Sequence, residues 1–299
     1  MDVSIIIVNY NTKVLTINCV QSILDFTKDV SYEIIVVDNA STDGTLSEVG
    51  TLYPDIKIIG LQENVGFGRA NNAGSEVAKG EFLFFLNSDT LLVENSLKKM
   101  IDFFRSHEKS LNLGVLGCIL VDEQLKTNGF GSNFPNPNTF LQESLRKIPL
   151  VRNFVKSDVS ISYDVSSEFF NIDYVIGADM LMKRSLFNYF NGFDKDYFMY
   201  YEESDMQLRL FRNGYENYIY SGTKIIHLED GSGKSQLKYS NRKRIILHQS
   251  KITYMQKNFG REYSKFKSID IITLILNIFN KRYTFAENVK YVTAIISKY

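Results

Sequence analysis

Through the first ninety residues, short apolar and mostly β-branched runs alternate with segments of helical spacing, and each run stops in a polar cluster. Val3 to Val8 is such a run and ends in Asn9-Tyr10-Asn11-Thr12. Lys13 to Phe26 then places Leu15, Cys19, Ile23 and Phe26 at helical intervals. Glu33 to Val37 is a second strand, closed by Asp38-Asn39-Ala40-Ser41-Thr42-Asp43-Gly44, and Thr45 onward reads as helix to about Tyr53. Ile56 to Ile59 is a third strand, Gly68 to Lys79 a helix, and Phe82 to Leu86 a fourth strand ending at Asn87-Ser88-Asp89. Continuous apolar strands need cover on both faces, and parallel strands need crossovers that helices of this length supply, so few folds other than a mainly parallel α/β sheet fit. Ligands of such sheets lie beyond the carboxyl ends of the strands, where three of these polar clusters fall.

The balance of 34 Lys+Arg against 34 Asp+Glu argues against a nucleic-acid protein, since no cation excess is available to neutralise phosphates. The 299 residues, 44% hydrophobic and 23% charged, exclude wholesale disorder and supply a large core. The two cysteines, Cys19 and Cys118, have no metal or disulfide spacing and read as packing residues in a reducing compartment. An acid at position 2 and an apolar run that ends by Val8 do not make a signal peptide, so a cytoplasmic chain is expected.

Further along, Asn128 to Ser167 holds three of the four prolines and shows no clear period; it reads either as a loop over a site or as an irregular connection. Ser264 to Tyr299 mixes basic residues with the apolar run Ile269 to Phe279, which is too short to span a bilayer. Its two readings are a helix lying on the inner face of the cytoplasmic membrane and a segment that packs on the rest of the chain or forms a homodimer contact.

Several residues have chemistry to offer. Asp89 emerges after a buried strand, where a carboxylate can hold Mg²⁺ or Mn²⁺, although a lone aspartate there more often caps a turn. Asp38 and Asp43 can accept the imide N–H of a pyrimidine base, or serve the Ser41-Thr42-Asp43-Gly44 turn. Gly66-Phe67-Gly68-Arg69 lacks the third glycine of a dinucleotide fingerprint, leaving a glycine turn that opens a helix carrying Arg69, Asn71 and Asn72. In Tyr200-Tyr201-Glu202-Glu203-Ser204-Asp205, three carboxylates within four positions repel one another and follow two aromatics, which suits a general base of raised pKa. An acidic first turn stabilised by the helix dipole is the plainer reading, with Asp205 and Arg209 paired at i,i+4. His227 closes the apolar stretch Lys224-Ile225-Ile226 before Gly231-Ser232-Gly233 and is a metal-ligand candidate; His107 and His248 fall in helices and are not.

Taken together, Ser4 to Asn11, Val37 to Thr45, Asn64 to Gly74 and Leu86-Asn87-Ser88-Asp89 resemble the inverting family-2 glycosyltransferases of the GT-A fold, and the resemblance covers roughly Val3 to Gly260. Gly192-Phe193-Asp194 with Phe198 to Asp205 resembles that family's acceptor-side catalytic segment, and His227 with Gly231-Ser232 its late metal-binding loop. The Asn-Val-Gly-Phe-Gly and Asn-Ser-Asp forms are most similar to bacterial rhamnosyltransferases and their galactofuranosyl relatives.

The resemblance implies a catalytic domain over residues 1–263, with a nucleotide-sugar half at 1–115 and an acceptor half at 116–263, followed by a helical tail at 264–299. It implies donor contacts from Val8, Asn9, Tyr10, Asp38, Asn39, Arg69, Asn72 and Ser88, and acceptor contacts from Asp179, Glu202 and Asp205. Asp89 and His227 would hold Mg²⁺ or Mn²⁺, and Glu203 would be the base. The metal motif's usual first carboxylate is Asn87 here, and the usual aspartate base is a glutamate. The implied reaction moves a sugar, rhamnose from dTDP-rhamnose or a hexose from a UDP-sugar, onto a glycan or lipid-linked glycan by single displacement. A processive synthase needs a Gln-x-x-Arg-Trp motif, which a chain without tryptophan cannot have. An inactive nucleotide-binding subunit of a glycan assembly complex is the non-enzyme alternative, opposed by Glu203, Asp205 and His227.

Overall fold

The computed structural model describes residues 1–146, 155, 163, 165–228 and 240–299. These fall into two compact units: Met1–Phe134, Tyr163–Phe198 and Glu202–Lys234 form the first, and Pro135–Ser162, Met199–Tyr201 and Ser235–Tyr299 the second.

The first unit begins β1 (Val3–Asn9), α1 (Lys13–Phe26), β2 (Tyr32–Asp38), α2 (Thr45–Leu52), β3 (Lys57–Gly60), α3 (Phe67–Glu76) and β4 (Phe82–Asn87). It continues with β5 (Thr90–Leu92), α4 (Ser96–His107), β6 (Leu113–Val121), β7 (Thr127–Gly129) and β8 (Gly131–Ser132). The second unit contributes α5 (Pro137–Arg146). The chain then returns to the first unit as β9 (Phe169–Ile172), β10 (Tyr174–Val175), β11 (Asp179–Lys183), α6 (Arg184–Tyr189), α7 (Glu202–Phe211) and β12 (Glu216–His227). The remaining helices, α8 (Asn241–Asn258), α9 (Gly260–Leu276) and α10 (Phe285–Ile296), belong to the second unit.

The main sheet runs β3-β2-β1-β4-β11-β6-β12-β5. β1 is parallel to both β2 and β4, and β2 to β3, so the four strands expected from the alternation form one parallel half. Because β1 lies between β2 and β4, the strand order reverses at β1, and the crevice at such a point opens beyond Asn9 and Asn87. Sequence alternation does not reveal β11, which inserts antiparallel beside β4 and puts Asp179 opposite Leu86. Side chains of successive residues leave opposite faces: Ile5, Ile7, Phe84 and Leu86 join one buried cluster, Ile6, Leu83 and Phe85 the other. Phe85 meets the rings of Phe187 at 5.0 Å and Phe193 at 5.1 Å. Burying a side chain of this size contributes about 1.5–3 kcal/mol.

The described part of the stretch from Asn128 to Ser167 holds regular elements. It includes the end of β7, β8, and α5, whose start is fixed by Asn136: its Oδ1 accepts from the amides of Asn138 at 3.0 Å and Thr139 at 3.1 Å, with Pro137 at the first helical position. Residues 147–154, 156–162 and 164 of that stretch lie outside the described residues, as do Gly231, Ser232 and Gly233. In the second unit α5 and α9 meet through Phe140 and Phe266, whose rings are 6.1 Å apart, and Lys251 of α8 reaches Glu143 at 2.8 Å. Among the described residues no helix is long and apolar enough to cross a membrane.

Cys19 and Cys118 are buried free thiols. Beside Cys118, the carboxyl of Asp179 is fully buried, accepts the Cys118 amide at 2.7 Å through Oδ2, and leaves Oδ1 without a partner. Desolvation raises its pKa from 3.8 to about 8. A carboxyl whose folded pKa is raised favours folding below its unfolded value, and that contribution is lost as pH climbs towards 8. Asp179→Asn is therefore expected to gain stability over the parent as pH rises from 4 to 8, by up to about 1.4 kcal/mol per pH unit. Thermal melts of both proteins across that range check this, and a constant difference in Tm refutes it.

Candidate functional site

The candidate residues fall at the ends of β1, β2, β4 and β12 and at the start of α7. At the end of β1, Asn9 is wholly buried and its amide is fully engaged: Nδ2 donates to Asp38 Oδ1 at 2.7 Å and Ser41 Oγ at 2.8 Å. Its Oδ1 accepts from the hydroxyls of Thr12 at 2.6 Å and Thr16 at 2.9 Å. Thr12 in turn meets Ser88 Oγ at 3.0 Å, which ties the β1 loop to the β4 loop. Asn39 accepts from the Val65 amide at 2.9 Å and donates to Asn64 Oδ1 at 3.0 Å, so it holds the turn that leads into α3. Asp43 accepts the Lys13 amide at 2.9 Å. Asp38 Oδ2 accepts the Ser41 amide at 3.2 Å, which leaves further carboxylate lone pairs, and Tyr10 in the β1 loop is exposed.

The glycines of the Gly66-Phe67-Gly68 turn are required by close packing. Gly66 has φ +91° and ψ 174°, a region open essentially to glycine alone, and a Cβ there would sit 1.8 Å from the Phe198 carbonyl oxygen. That carbonyl accepts the Phe67 amide at 3.0 Å. At Gly68 a Cβ would come within 3.3 Å of Glu202 Cβ, so the two glycines let α3 close against the start of α7. Gly66→Ala is expected to destabilise the protein by about 3 kcal/mol or more and to disturb the Glu202-Glu203 turn, which chemical denaturation and donor turnover would both report. Arg69 donates through Nε to the Lys195 carbonyl at 2.7 Å, and Asn72 is paired twice with the Phe193 backbone, at 2.7 and 3.0 Å. As placed, both brace the segment before α7.

Tyr200 and Tyr201 each have φ 71°, a left-handed conformation that costs about 1–3 kcal/mol per residue and turns the chain sharply into α7. In the first turn of α7, Glu202 is buried with Oε2 unpartnered, and Glu203 is half-buried. Burial, then the charge of Glu203, pushes the Glu202 pKa well above its ordinary value, and burial raises that of Glu203. Asp205 is ion-paired with Arg209 at 3.0 Å, and Arg209 also donates to the carbonyls of Phe190 at 2.5 Å and Gly192 at 2.8 Å. Asp205 and Asp179, both expected as acceptor contacts, are instead buried and engaged with Arg209 and with the Cys118 amide.

At the far side, β5 and β12 pair with Thr90 opposite His227, which brings Asp89 Oδ1 within 3.4 Å of His227 Nε2. Both side chains are almost wholly buried, and His227 Nδ1 has no hydrogen-bond partner. A carboxylate oxygen and an imidazole nitrogen are both donors that a divalent cation such as Mn²⁺ accepts, and Nε2 is the ring nitrogen that faces Asp89. Among the described residues no group of three or more His, Cys, Asp or Glu side chains gathers to hold a metal. His107 stacks on Phe103, and His248 bonds Tyr291 and Asp270 in the second unit, so neither belongs here.

Two supports escape sequence reasoning. Gln207 pairs with Val175 like a strand neighbour, donating to its carbonyl and accepting its amide, each at 2.8 Å, and so fixes α7. Its position four residues after Glu203 is the only hint. Asn128 donates to the His227 carbonyl at 2.8 Å, and only the folded register shows it.

A family profile described as glycosyl transferase family 2 matches residues 4–190. The rhamnosyltransferase WbbL of Escherichia coli (strain K12) is 26% identical over 265 residues, 80% of this chain and 90% of that protein. The N-acetylglucosaminyl-diphospho-decaprenol L-rhamnosyltransferase of Mycobacterium tuberculosis is 24% identical over 65% of this chain and 66% of that one. Shorter matches at 31–35% identity to three Bacillus glycosyltransferases span only 19–41% of those proteins' lengths. In fold, the chain is similar to the mannosyltransferase PcManGT of Pyrobaculum calidifontis, solved with GDP-Man and Mn²⁺, with TM-score 0.56 and 17% identity over 99% of this chain and 75% of that one. With the profile covering well over half of its length, and the polar clusters after β1, β2 and β4 inside the matched span, the chain belongs to glycosyl transferase family 2.

Proposed function

We propose that the protein is an inverting, metal-dependent glycosyltransferase that moves rhamnose from dTDP-rhamnose onto a bacterial surface glycan or its lipid-linked precursor. The observation that carries this reading is the half-buried Glu203 of raised pKa, backed by the buried Glu202, in the unit that also holds the Asp89–His227 pair. Glu203 takes the proton of an acceptor hydroxyl as that oxygen attacks the anomeric carbon, and the configuration there inverts. Asp38, held by Asn9 and Ser41, accepts the imide N–H of the base, and Tyr10 covers its ring. Asp89 and His227 would hold the Mg²⁺ or Mn²⁺, which when bound supplies positive charge to the departing nucleoside diphosphate.

Donor contacts are assigned to residues 1–115 and acceptor contacts to 116–263. Two relatives whose names are rhamnosyltransferases support the choice of sugar, and one of those names includes a lipid-linked acceptor. A thermal-shift panel of dTDP-, UDP- and GDP-sugars with Mn²⁺, followed by NMR of the released sugar, tests the proposal. Stabilisation by dTDP-rhamnose and hydrolysis with inversion are expected. Preference for a UDP-hexose overturns the sugar; binding without release of any nucleoside diphosphate overturns the enzyme.

A further inference from the structure

Helices α9 and α10 have two unlike faces. Their inner faces are fixed by directional bonds: His248 of α8 meets Tyr291 Oη at 2.5 Å and Asp270 Oδ2 at 2.7 Å, and Tyr299 donates to the same carboxylate oxygen at 2.7 Å. Arg244 of α8 bonds Asn288 at 3.0 Å and lies 3.5 Å from the centre of the Tyr291 ring. Leu274, Val292 and Ile295 are buried among them. The tail therefore packs within the second unit, and its rotation about each helix axis is set.

That rotation turns a second apolar set outward. Ile272 and Ile275 of α9 are more than half exposed, and Phe279 at the turn and Phe285 at the start of α10 are 76% and 69% exposed. Between the two phenylalanines stand Lys281 and Arg282, both exposed. Residues 264–299 carry six Lys and Arg against two acids, in a chain of zero net charge. Of those acids, Asp270 is buried and Glu287 is engaged in a capping box with Thr284. Two exposed phenylalanines within seven positions, with two exposed cations between them, mark a candidate interaction surface, whereas single exposed apolar residues spread over the chain would not.

We propose that the α9–α10 tip docks on an anionic bilayer, with Phe279 and Phe285 entering between headgroups and Lys281 and Arg282 on lipid phosphates. Charge decides between lipid and a second copy of the chain: a twofold contact through this face would bring like-charged tips together, whereas an anionic surface complements them. This inference does not rest on the transferase reading; the inner faces of α9 and α10 pack on α8, and the proposal concerns only the outer face.

Flotation of the full chain with phosphatidylcholine vesicles, with and without phosphatidylglycerol, tests it, alongside the double variants Phe279→Ser/Phe285→Ser and Lys281→Glu/Arg282→Glu. The parent is expected to float with phosphatidylglycerol vesicles alone, less so in high salt, and each double variant to lose at least about tenfold in vesicle affinity at unchanged Tm. Failure of the parent to float, or flotation of the phenylalanine variant equal to the parent, overturns the proposal. So does a parent dimer that the phenylalanine variant converts to monomer without any flotation, which assigns the face to a second copy.

Discussion

Glu203→Gln is expected to lower kcat by about a hundredfold or more while leaving nucleotide-sugar affinity close to that of the parent. The substitution keeps size and shape and removes only basicity, so a loss confined to kcat identifies proton removal as the missing function. Measurement of kcat at saturating donor and acceptor, with donor affinity from calorimetry, separates the two quantities. If affinity collapses and kcat holds, Glu203 is a binding residue and the base lies at Glu202 or Asp205. The pH profile adds an independent check. A general base works when deprotonated, so activity is lost as pH falls through its pKa, and burial lifts that pKa above the ordinary 4.5. The acidic limb of kcat should therefore lie above the range of an exposed glutamate. Burial and the charge of Glu203 raise the Glu202 pKa well above its ordinary value, and Glu202→Gln, which keeps a neutral group of the same size there, should retain most of the activity and move that limb little.

Much of this arrangement is legible in the sequence where the signal is local. The run Val3 to Val8 and the spacing from Lys13 to Phe26 give β1 and α1 nearly to the residue, because burial on both faces of a strand and on one face of a helix leaves a period in the chain. The clusters ending β1, β2 and β4 are legible for the same reason, since polar residues after an apolar strand have to emerge at its edge. What is not legible depends on partners distant in sequence. Asn72 looks like a ligand residue on a helix, but its amide closes on Phe193, 121 positions later. Gly66 and Gly68 look like half a phosphate loop, yet their missing side chains make room for the Phe198 carbonyl and Glu202. Asp205 and Arg209 are legible as a pair from i,i+4 spacing, but the carbonyls of Phe190 and Gly192 that Arg209 also clasps are not. The antiparallel β11 leaves no trace in the alternation, and with it the burial of Asp179 goes unread.

Asp89→Ala should abolish metal-dependent transfer, and its effect should be visible without turnover. In the proposed metal site the Asp89 carboxylate lies 3.4 Å from His227, and the position that would supply a second carboxylate by resemblance to the family is Asn87. Among the described residues Asp89 is the carboxylate beside His227, and removing it leaves there an imidazole that alone is a poor ligand for Mg²⁺ or Mn²⁺. Titration of Mn²⁺ followed by electron paramagnetic resonance should show at least a tenfold loss of affinity in the variant. Nucleoside-diphosphate binding should weaken in the presence of Mn²⁺ and change little in its absence. Glu203→Gln, by contrast, should bind Mn²⁺ like the parent, which distinguishes loss of the cation from loss of the base. Full activity of Asp89→Ala, or unchanged Mn²⁺ binding, would remove Asp89 from the metal site. Asn87→Asp reverses the argument: a second carboxylate beside Asp89 should tighten Mn²⁺ binding, and in the metal-free protein the two acids should repel and lower Tm, an effect that added Mn²⁺ relieves.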